Sequence, residues 1–131
     1  MIEAADKWLE KYKQAWEERD PVAAGGLFTP DALYQEVPFD PPLPGAQGVQ
    51  DYWARVTATQ DDVTFRYGDI LVAGDRIIVE WWTTLNDQGK GATFAGIFLL
   101  RLEASGLCSE LIEYWHIGDQ QLEPYKHWGV A

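Results

Sequence analysis

The segment from Tyr34 to Gly48, YQEVPFDPPLPGAQG, decides how the rest of the chain is arranged. It begins with the alternating side chains of a strand and ends in a proline-rich turn, and a helical pattern, VQDYWARV, follows at once. Proline removes a donor from the strand ladder and is confined to strand ends and edges. The run from Pro38 to Pro44 therefore predicts where the strand leaves its sheet. With Tyr34 and Glu36 on one face of that strand, the segment predicts the mouth of a pocket.

Length and charge limit the class of protein. The 131 residues predict a single domain, residues 1–131, that buries roughly two-thirds of its surface. A net charge of −11 argues against nucleic acid and anionic membranes as partners, because both attract basic surfaces. No apolar run approaches ~20 residues, and the N-terminal MIEAADKWLEKYK lacks the pattern of a signal peptide. The sequence therefore predicts a cytoplasmic protein.

The residues that bind metals are few. Cys108 is the single cysteine, so neither an intramolecular disulfide nor a thiolate zinc site is possible, and only His116 and His127 supply imidazoles. We therefore predict that the protein needs neither a metal nor another cofactor. Cys108 has no histidine near it in the sequence and is interpreted as a small apolar residue.

Hydrophobic spacing divides the chain into three helices and five strands. Period-three-and-four spacing predicts the helices, and alternation predicts the strands. The predicted order is helix 2–18, helix 21–28, strand 32–39, a helix around 49–56, strands 63–73, 76–85, 91–103 and 107–117, and an irregular end, 119–131. Helices beside a mostly antiparallel sheet are typical of an α+β domain.

The strand at 76–85 is apolar on both faces. Ile77, Val79 and Trp81 alternate with Ile78 and Trp82. A sheet that is apolar on both faces must be covered on both. The helices cover one face, so we predict that a second copy of the chain covers the other and that the protein is a homodimer.

Three stretches in this order resemble the nuclear transport factor two-like superfamily, in its SnoaL-like, ketosteroid isomerase-like branch. They are WLEKYKQAWEERDPVAAGGLFTPDALY (8–34), PLPGAQGVQDYW (42–53) and FAGIFLLRLEASGLCSELIEYWHI (94–117). The resemblance implies a cone-shaped, curved, mixed but mostly antiparallel sheet wrapped by three helices, with a pocket at its wide end. Members include ketosteroid isomerases, polyketide cyclases, limonene epoxide hydrolases, scytalone dehydratases and binding domains, so the fold alone does not specify the function.

The first strand looks most like that of limonene epoxide hydrolase. In that family a Tyr and an Asn two residues apart hold the nucleophilic water. Here Tyr34 matches the Tyr, and Glu36 replaces the Asn. The family's Arg and Asp of the central strand fall on Trp81 and Thr83, and its remaining Asp falls on Glu113. The resemblance therefore implies that the charged triad of that mechanism cannot form.

Two other branches of the superfamily imply roles for the same acids. The ketosteroid isomerase pattern needs a carboxylate base and an oxyanion hole that includes a protonated acid. Glu36 is the candidate base, Tyr34 or Tyr114 a donor, and Glu113 the acid of the hole. In SnoaL-like cyclases an acid on the last strands acts as acid and base, and Glu113 is its counterpart. His116 stands where many relatives have Asp.

Strand alternation leaves two sets of side chains open for the pocket face. The favoured set is Tyr34, Glu36 and Pro38, then Ile77, Val79, Trp81 and Thr83, then Leu111, Glu113 and Trp115. A register slip of one residue would substitute Gln35, Glu80, Trp82, Tyr114 and His116. The matches at Tyr34 and Glu113 favour the first set.

The sequence thus predicts an apolar pocket for a small molecule. The candidate catalytic residues are Glu36, Glu113, Tyr34 and His116. The candidate substrate-binding residues are Trp53, Trp81, Thr83, Phe98 and Trp115. Two functions remain open. One is an enzyme for proton transfer, cyclisation, isomerisation or dehydration of an apolar small molecule through pocket carboxylates, and the other is a non-catalytic binding protein of the same fold.

Overall fold

The computed structural model describes all 131 residues, which form three helices on one side of a curved sheet. None of the helices is both long enough and apolar enough to cross a membrane. The helices are α1 (Ile2–Glu17), α2 (Pro21–Gly25) and α3 (Gly45–Val56). The strands are β1 (Phe28–Gln35), β2 (Leu43–Pro44), β3 (Gln60–Tyr67), β4 (Leu71–Ala73), β5 (Arg76–Asp87), β6 (Lys90–Leu102) and β7 (Cys108–Gly118).

The sheet brings the first long strand beside the last one. The strand order is β2-β1-β7-β6-β5-β3, and β4 pairs with β5. β1 runs parallel to β7, with Tyr34 opposite Leu111, whereas the other pairs are antiparallel. The predicted α+β class, with a mixed, mostly antiparallel curved sheet, is confirmed.

Helix α1 packs its apolar stripe on the inner face of the sheet, the face that looks toward the helices. Its buried residues are Ala5, Trp8, Leu9, Tyr12 and Ala15. The ring of Tyr12 lies 5.2 Å from that of Phe65 and 5.2 Å from that of Phe98, centroid to centroid. The indole of Trp8 donates a hydrogen bond of 3.0 Å to the carbonyl of Leu27, so the polar atom of this core residue is satisfied.

Helix α2 is shorter than the sequence predicts, and β1 begins earlier. The Asp20 carboxylate accepts a 3.1 Å bond from the backbone N–H of Ala23, as expected of a helix cap. The helix ends at Gly25, and the chain is already extended at Phe28. Pro30 lies within β1, where the β1–β7 register shifts between Phe28 and Leu33, and a proline is tolerated at such an irregular point.

The proline loop turns the chain from β1 back over the edge of the sheet. β1 ends at Gln35, not at Phe39, and the side chain of Gln35 donates to the carbonyls of Val37 (2.8 Å) and Asp40 (2.6 Å). Helix α3 then starts at Gly45, whose φ of +67° suits glycine. A Cβ there would lie 3.1 Å from the carbonyl carbon of Pro30, so the loop closes tightly on β1.

The outer face of the sheet, away from the helices, is partly covered by the chain itself. The C-terminal segment, residues 119–131, lies across it: the indole of Trp82 donates 2.9 Å to the carbonyl of Leu122, and its ring contacts that of Trp128 at 5.9 Å. Toward β6 and β7 this face stays open, with Ile97 42% and Tyr114 56% exposed. The outer apolar face of β5 is thus partly covered by the same chain.

Candidate functional site

A cavity of about 330 Å³ lies between α1, α3 and the inner face of the sheet. Half of the 16 residues that line it are aromatic, and they come from helices and strands alike. The aromatic lining residues are Tyr12, Trp16, Tyr34, Tyr52, Trp53, Trp81, Phe94 and Trp115. A cavity of this size and lining suits a small, mostly apolar molecule.

Glu113 is the buried acid of this cavity. It lies on the inner face of β7 and is only 5% exposed. The parallel pairing of β1 with β7 sets Tyr34 opposite Leu111, so Tyr34 and Glu113 share one face, and the Tyr34 hydroxyl donates a 2.6 Å bond to Oε2 of Glu113. The other oxygen, Oε1, accepts no hydrogen bond from the chain and remains available to the cavity.

Burial dominates the electrostatics of this pair. The pKa of Glu113 is raised to about 8, chiefly because the buried charged form loses its hydration and also because of the negative charge of Glu36. The bond from Tyr34 acts in the opposite direction, since it favours the carboxylate. Burial and the Glu113 charge also hold the pKa of Tyr34 well above its usual value. Glu113 therefore exchanges its proton near neutral pH, while Tyr34 remains a donor.

Glu36 lies at the mouth of the cavity, one residue beyond the end of β1, and is half-buried. The hydroxyl of Tyr52 donates a 2.8 Å bond to its Oε1. Its backbone carbonyl accepts a 3.1 Å bond from the indole of Trp115. The guanidinium of Arg55 lies over the ring of Tyr52, 5.6 Å from its centroid. Tyr52 of α3 thus orients the carboxyl of Glu36, and Trp115 of β7 fixes its backbone.

A glycine lies between two of the tryptophans. Trp81, Gly96 and Trp115 are directly paired across β5, β6 and β7. A Cβ on Gly96 would lie 2.8 Å from the Cβ of Trp115, closer than side chains pack. A side chain at Gly96 would therefore displace Trp115 and the adjoining backbone of Tyr114.

Six of the predicted residues meet around this cavity: Tyr34, Glu36, Trp53, Trp81, Glu113 and Trp115. The favoured alternation is the one observed on β7, since Glu113 is buried and Tyr114 is 56% exposed. The alternative register would have placed Tyr114 inside.

Three predicted site residues lie elsewhere. His116 is exposed on the outer face, paired with Ala95, because it has the alternation of Tyr114 and not that of Glu113. Thr83 and Phe98 face inward and are fully buried, but they do not line the cavity. Phe98 lies behind Trp81, with their rings stacked at 5.3 Å, and so supports the wall from below.

The sequence did not predict Tyr12, Trp16, Tyr52 or Phe94 as site residues. Tyr12 and Trp16 belong to the apolar stripe of α1, whose spacing predicts a core. The available signal was the hydroxyl of Tyr12, since a buried tyrosine needs a polar neighbour. No group of three or more His, Cys, Asp or Glu side chains is arranged to hold a metal ion.

The sequence identifies the family of this fold. The family model of the SnoaL-like domain matches residues 9–111. The chain belongs to the SnoaL-like family. The predicted superfamily and branch are therefore confirmed. No curated protein matches this SnoaL-like chain in sequence.

Solved structures share the fold at low sequence identity. One, from Catenulispora acidiphila DSM 44928, is a hypothetical protein with a ketosteroid isomerase-like fold in complex with trimethylamine (21% identity, 82% of this chain and 83% of that chain, TM-score 0.72). Another is an LEH-like epoxide hydrolase of Mycobacterium tuberculosis (15%, 88% and 84%, TM-score 0.72). A third is a computationally designed binder of 17-OHP (17%, 88% and 97%, TM-score 0.72). At these identities the likeness establishes the fold.

Proposed function

We propose that this SnoaL-like protein binds a small, mostly apolar molecule in its cavity and transfers a proton on it. The reaction class is proton transfer, cyclisation, isomerisation or dehydration. One observation carries the proposal: the buried carboxyl of Glu113, whose pKa is about 8, keeps one oxygen free toward an aromatic cavity. A general acid or base works best when its pKa lies near the working pH.

The residues around the cavity have different roles in the proposed reaction. Glu113 takes a proton from, or returns it to, an acidic C–H or a water molecule. Tyr34, which donates 2.6 Å to Oε2, steadies the carboxylate when it forms. Glu36 at the mouth is the second carboxyl, oriented by Tyr52, and its charge makes Glu113 more basic. Two acids in different environments are a common arrangement for acid–base catalysis.

Epoxide hydrolysis by the charged triad of the limonene enzyme is not part of the proposal. The positions that resemble its Arg and Asp hold Trp81 and Thr83. Trp81 stacks on Phe98 in the wall, and Thr83 is fully buried without a hydrogen-bond partner for its hydroxyl. Neither side chain carries a charge with which to activate an epoxide or a water molecule.

The second candidate is a non-catalytic binding protein. Two neighbours of the same fold favour it, since one is described in complex with trimethylamine and the other is a designed binder of 17-OHP. In this reading the bond from Tyr34 to Glu113 is structural and the aromatic rings supply the affinity. The two candidates differ in what happens to the ligand after it binds.

Native mass spectrometry of protein purified from its own host tests the proposal. We expect a retained small molecule, and we expect a chemically altered product when that molecule or its analogues are incubated with the protein. Ring ketones, enones and epoxides form the first screen. Tight binding of apolar compounds with no turnover of any of them would favour the binding protein. Failure to bind any small molecule would contradict both candidates.

We also propose that the chain, acting as one domain, forms a homodimer through the open part of its outer face. Ile97 and Tyr114 are directly paired there, and both side chains are exposed. The C-terminal segment covers the neighbouring part, which limits the interface to the side of β6 and β7. The cytoplasmic location and the independence from metal and cofactor remain predictions.

Sedimentation tests the dimer. We expect a species of about twice the chain mass of 14.8 kDa at micromolar concentration. Ile97→Glu should yield a folded monomer, because this side chain is exposed in the single chain and only the interface would bury its charge. Val22→Glu, at an exposed apolar position on α2, is the matched control and should remain dimeric. A stable 14.8 kDa wild-type species would contradict the proposal.

A further inference from the structure

We propose that the cavity selects organic cations, small molecules that carry a quaternary or protonated amine on an apolar body. The positive charge would lie against the aromatic rings and beside the carboxyl groups of Glu36 and Glu113. This inference rests on the proposed function, because it names the ligand class of the same cavity.

The walls have the chemistry of a cation site. Tyr52, Trp53, Trp81 and Trp115 come from α3, β5 and β7 and line one cavity. The face of an aromatic ring carries negative charge and attracts a nearby ammonium, with tryptophan the strongest. Aromatic cages for quaternary ammonium groups are built in this way. A neutral hydrocarbon would fill such a space but would not use the ring charge.

The acidic groups that line the cavity also favour a cationic ligand. Glu36, Asp87 and Glu113 all line it, and none of them is in an ion pair within the chain. Arg55 is the single basic side chain of the lining, and it is exposed, with its guanidinium over Tyr52 at the mouth. Glu113, the acid in the interior, therefore has no counter-ion, and two further acids lie at the mouth.

The free oxygen of Glu113 is the second observation. Its carboxyl is 5% exposed, receives one hydrogen bond, and leaves Oε1 available to the cavity. A buried carboxyl without a counter-ion keeps its proton, since the charged form is poorly solvated. A ligand cation provides the missing charge. Binding of the cation then displaces a proton: the carboxylic acid becomes a carboxylate paired with the cation, and its proton passes to the buffer.

Three tyrosines and three charged side chains surround Glu113 in the lining of the cavity. Tyr12 of α1 and Tyr34 of β1 have pKa values well above the usual range, chiefly through burial, so they stay neutral. Tyr52 of α3 likewise has a raised pKa, again chiefly through burial. Glu36, Asp87 and Arg55 complete the set at the mouth. The pKa of about 8 therefore assigns the released proton to Glu113.

A matched pair of probes tests the inference. Benzyltrimethylammonium has a charge that does not titrate, and neopentylbenzene is its neutral isostere. In calorimetry, the cation should bind more tightly than the neutral probe above pH 8 and release about one proton per molecule at pH 7. As the pH rises from 6 to about 8, the affinity for the cation should increase roughly tenfold per pH unit, and above pH 8 it should level off. The total increase from pH 6 to pH 9 should be about 10²-fold.

Glu113→Gln identifies the group. The substitution should abolish the proton release and the pH dependence. It should weaken the binding of the cation more than tenfold and leave the affinity for the neutral probe unchanged. Glu103→Gln, in an exposed turn, should behave like the wild type. If the neutral probe binds and the cation does not, or if the cation binds without proton release, the inference is overturned and the proposed function stands. If neither probe binds, the inference is overturned as well, and the screen of ring ketones, enones and epoxides decides the proposed function.

Discussion

Replacing Glu113 with glutamine is expected to lower the turnover number by about 10²–10⁴-fold, the usual contribution of a placed acid or base. Glutamine has nearly the same shape and still accepts a bond from Tyr34 at its carbonyl oxygen, but it cannot exchange a proton. The affinity for a neutral ligand should therefore stay nearly unchanged. Steady-state kinetics on the first substrate found by screening measures both quantities.

Glu103→Gln, which removes an exposed carboxyl from a turn, serves as the control and should retain full activity. Full activity in Glu113→Gln would make the carboxyl structural. Thermal unfolding gives an independent check that the variant is folded. The pKa of Glu113 is about 8 in the folded chain against an ordinary 4.5, so burial of this group lowers stability progressively as the pH rises from 4.5 toward 8. The Tm of the variant relative to the wild type should rise over that range.

The second large effect is on stability. Trp81→Ala is expected to lower the free energy of unfolding by about 3–5 kcal/mol, the usual cost of removing a large buried aromatic side chain. The ring is 2% exposed and stacks on Phe98 at 5.3 Å, with Trp16 at 5.8 Å on another side. The whole free energy of unfolding of a native protein is about 5–15 kcal/mol. Urea denaturation followed by circular dichroism measures the change.

Trp115→Ala is the comparison for this effect. Trp115 is half-buried, contacts Phe94 at 5.6 Å and also lines the cavity, so its removal enlarges the same space at a smaller loss of stability. The sequence predicts Trp81 as a binding wall alone. If Trp81→Ala weakens ligand binding while its urea midpoint matches the wild type, that simpler interpretation is correct and the core role fails.

The sequence favoured the observed register of the last strand but left the alternative open, and the reason is physical. Alternation separates Glu113 from Tyr114 and His116, but it cannot say which set faces the helices. The match of Tyr34 and Glu113 to a known pattern favoured the set with Glu113, and the structure buries Glu113. His116 stayed a candidate because relatives hold an acid there and because the alternative register would have turned it, with Tyr114, toward the pocket.

The full lining of the predicted pocket lay beyond sequence reasoning. Helical spacing shows that Tyr12 faces the core, but it does not show that space remains in front of the hydroxyl. That space depends on how rings stack and on the missing side chain of Gly96 between Trp81 and Trp115. The start of β1 was also misjudged, because the tolerance for Pro30 depends on a bulge that only the partner strand β7 defines.

The separation of the site residues along the chain has a consequence for folding. The bond from Tyr34 to Glu113 and the bond from Trp115 to Glu36 each join residues 79 positions apart. Contacts of such long range form slowly, because a large loop must close first. During synthesis β1 emerges well before β7, the long strand with which it pairs, and its Tyr34 lacks its partner until β7 arrives. Ligand-binding competence is therefore acquired at the last stage of folding, and the newly made chain is most prone to aggregation just before it.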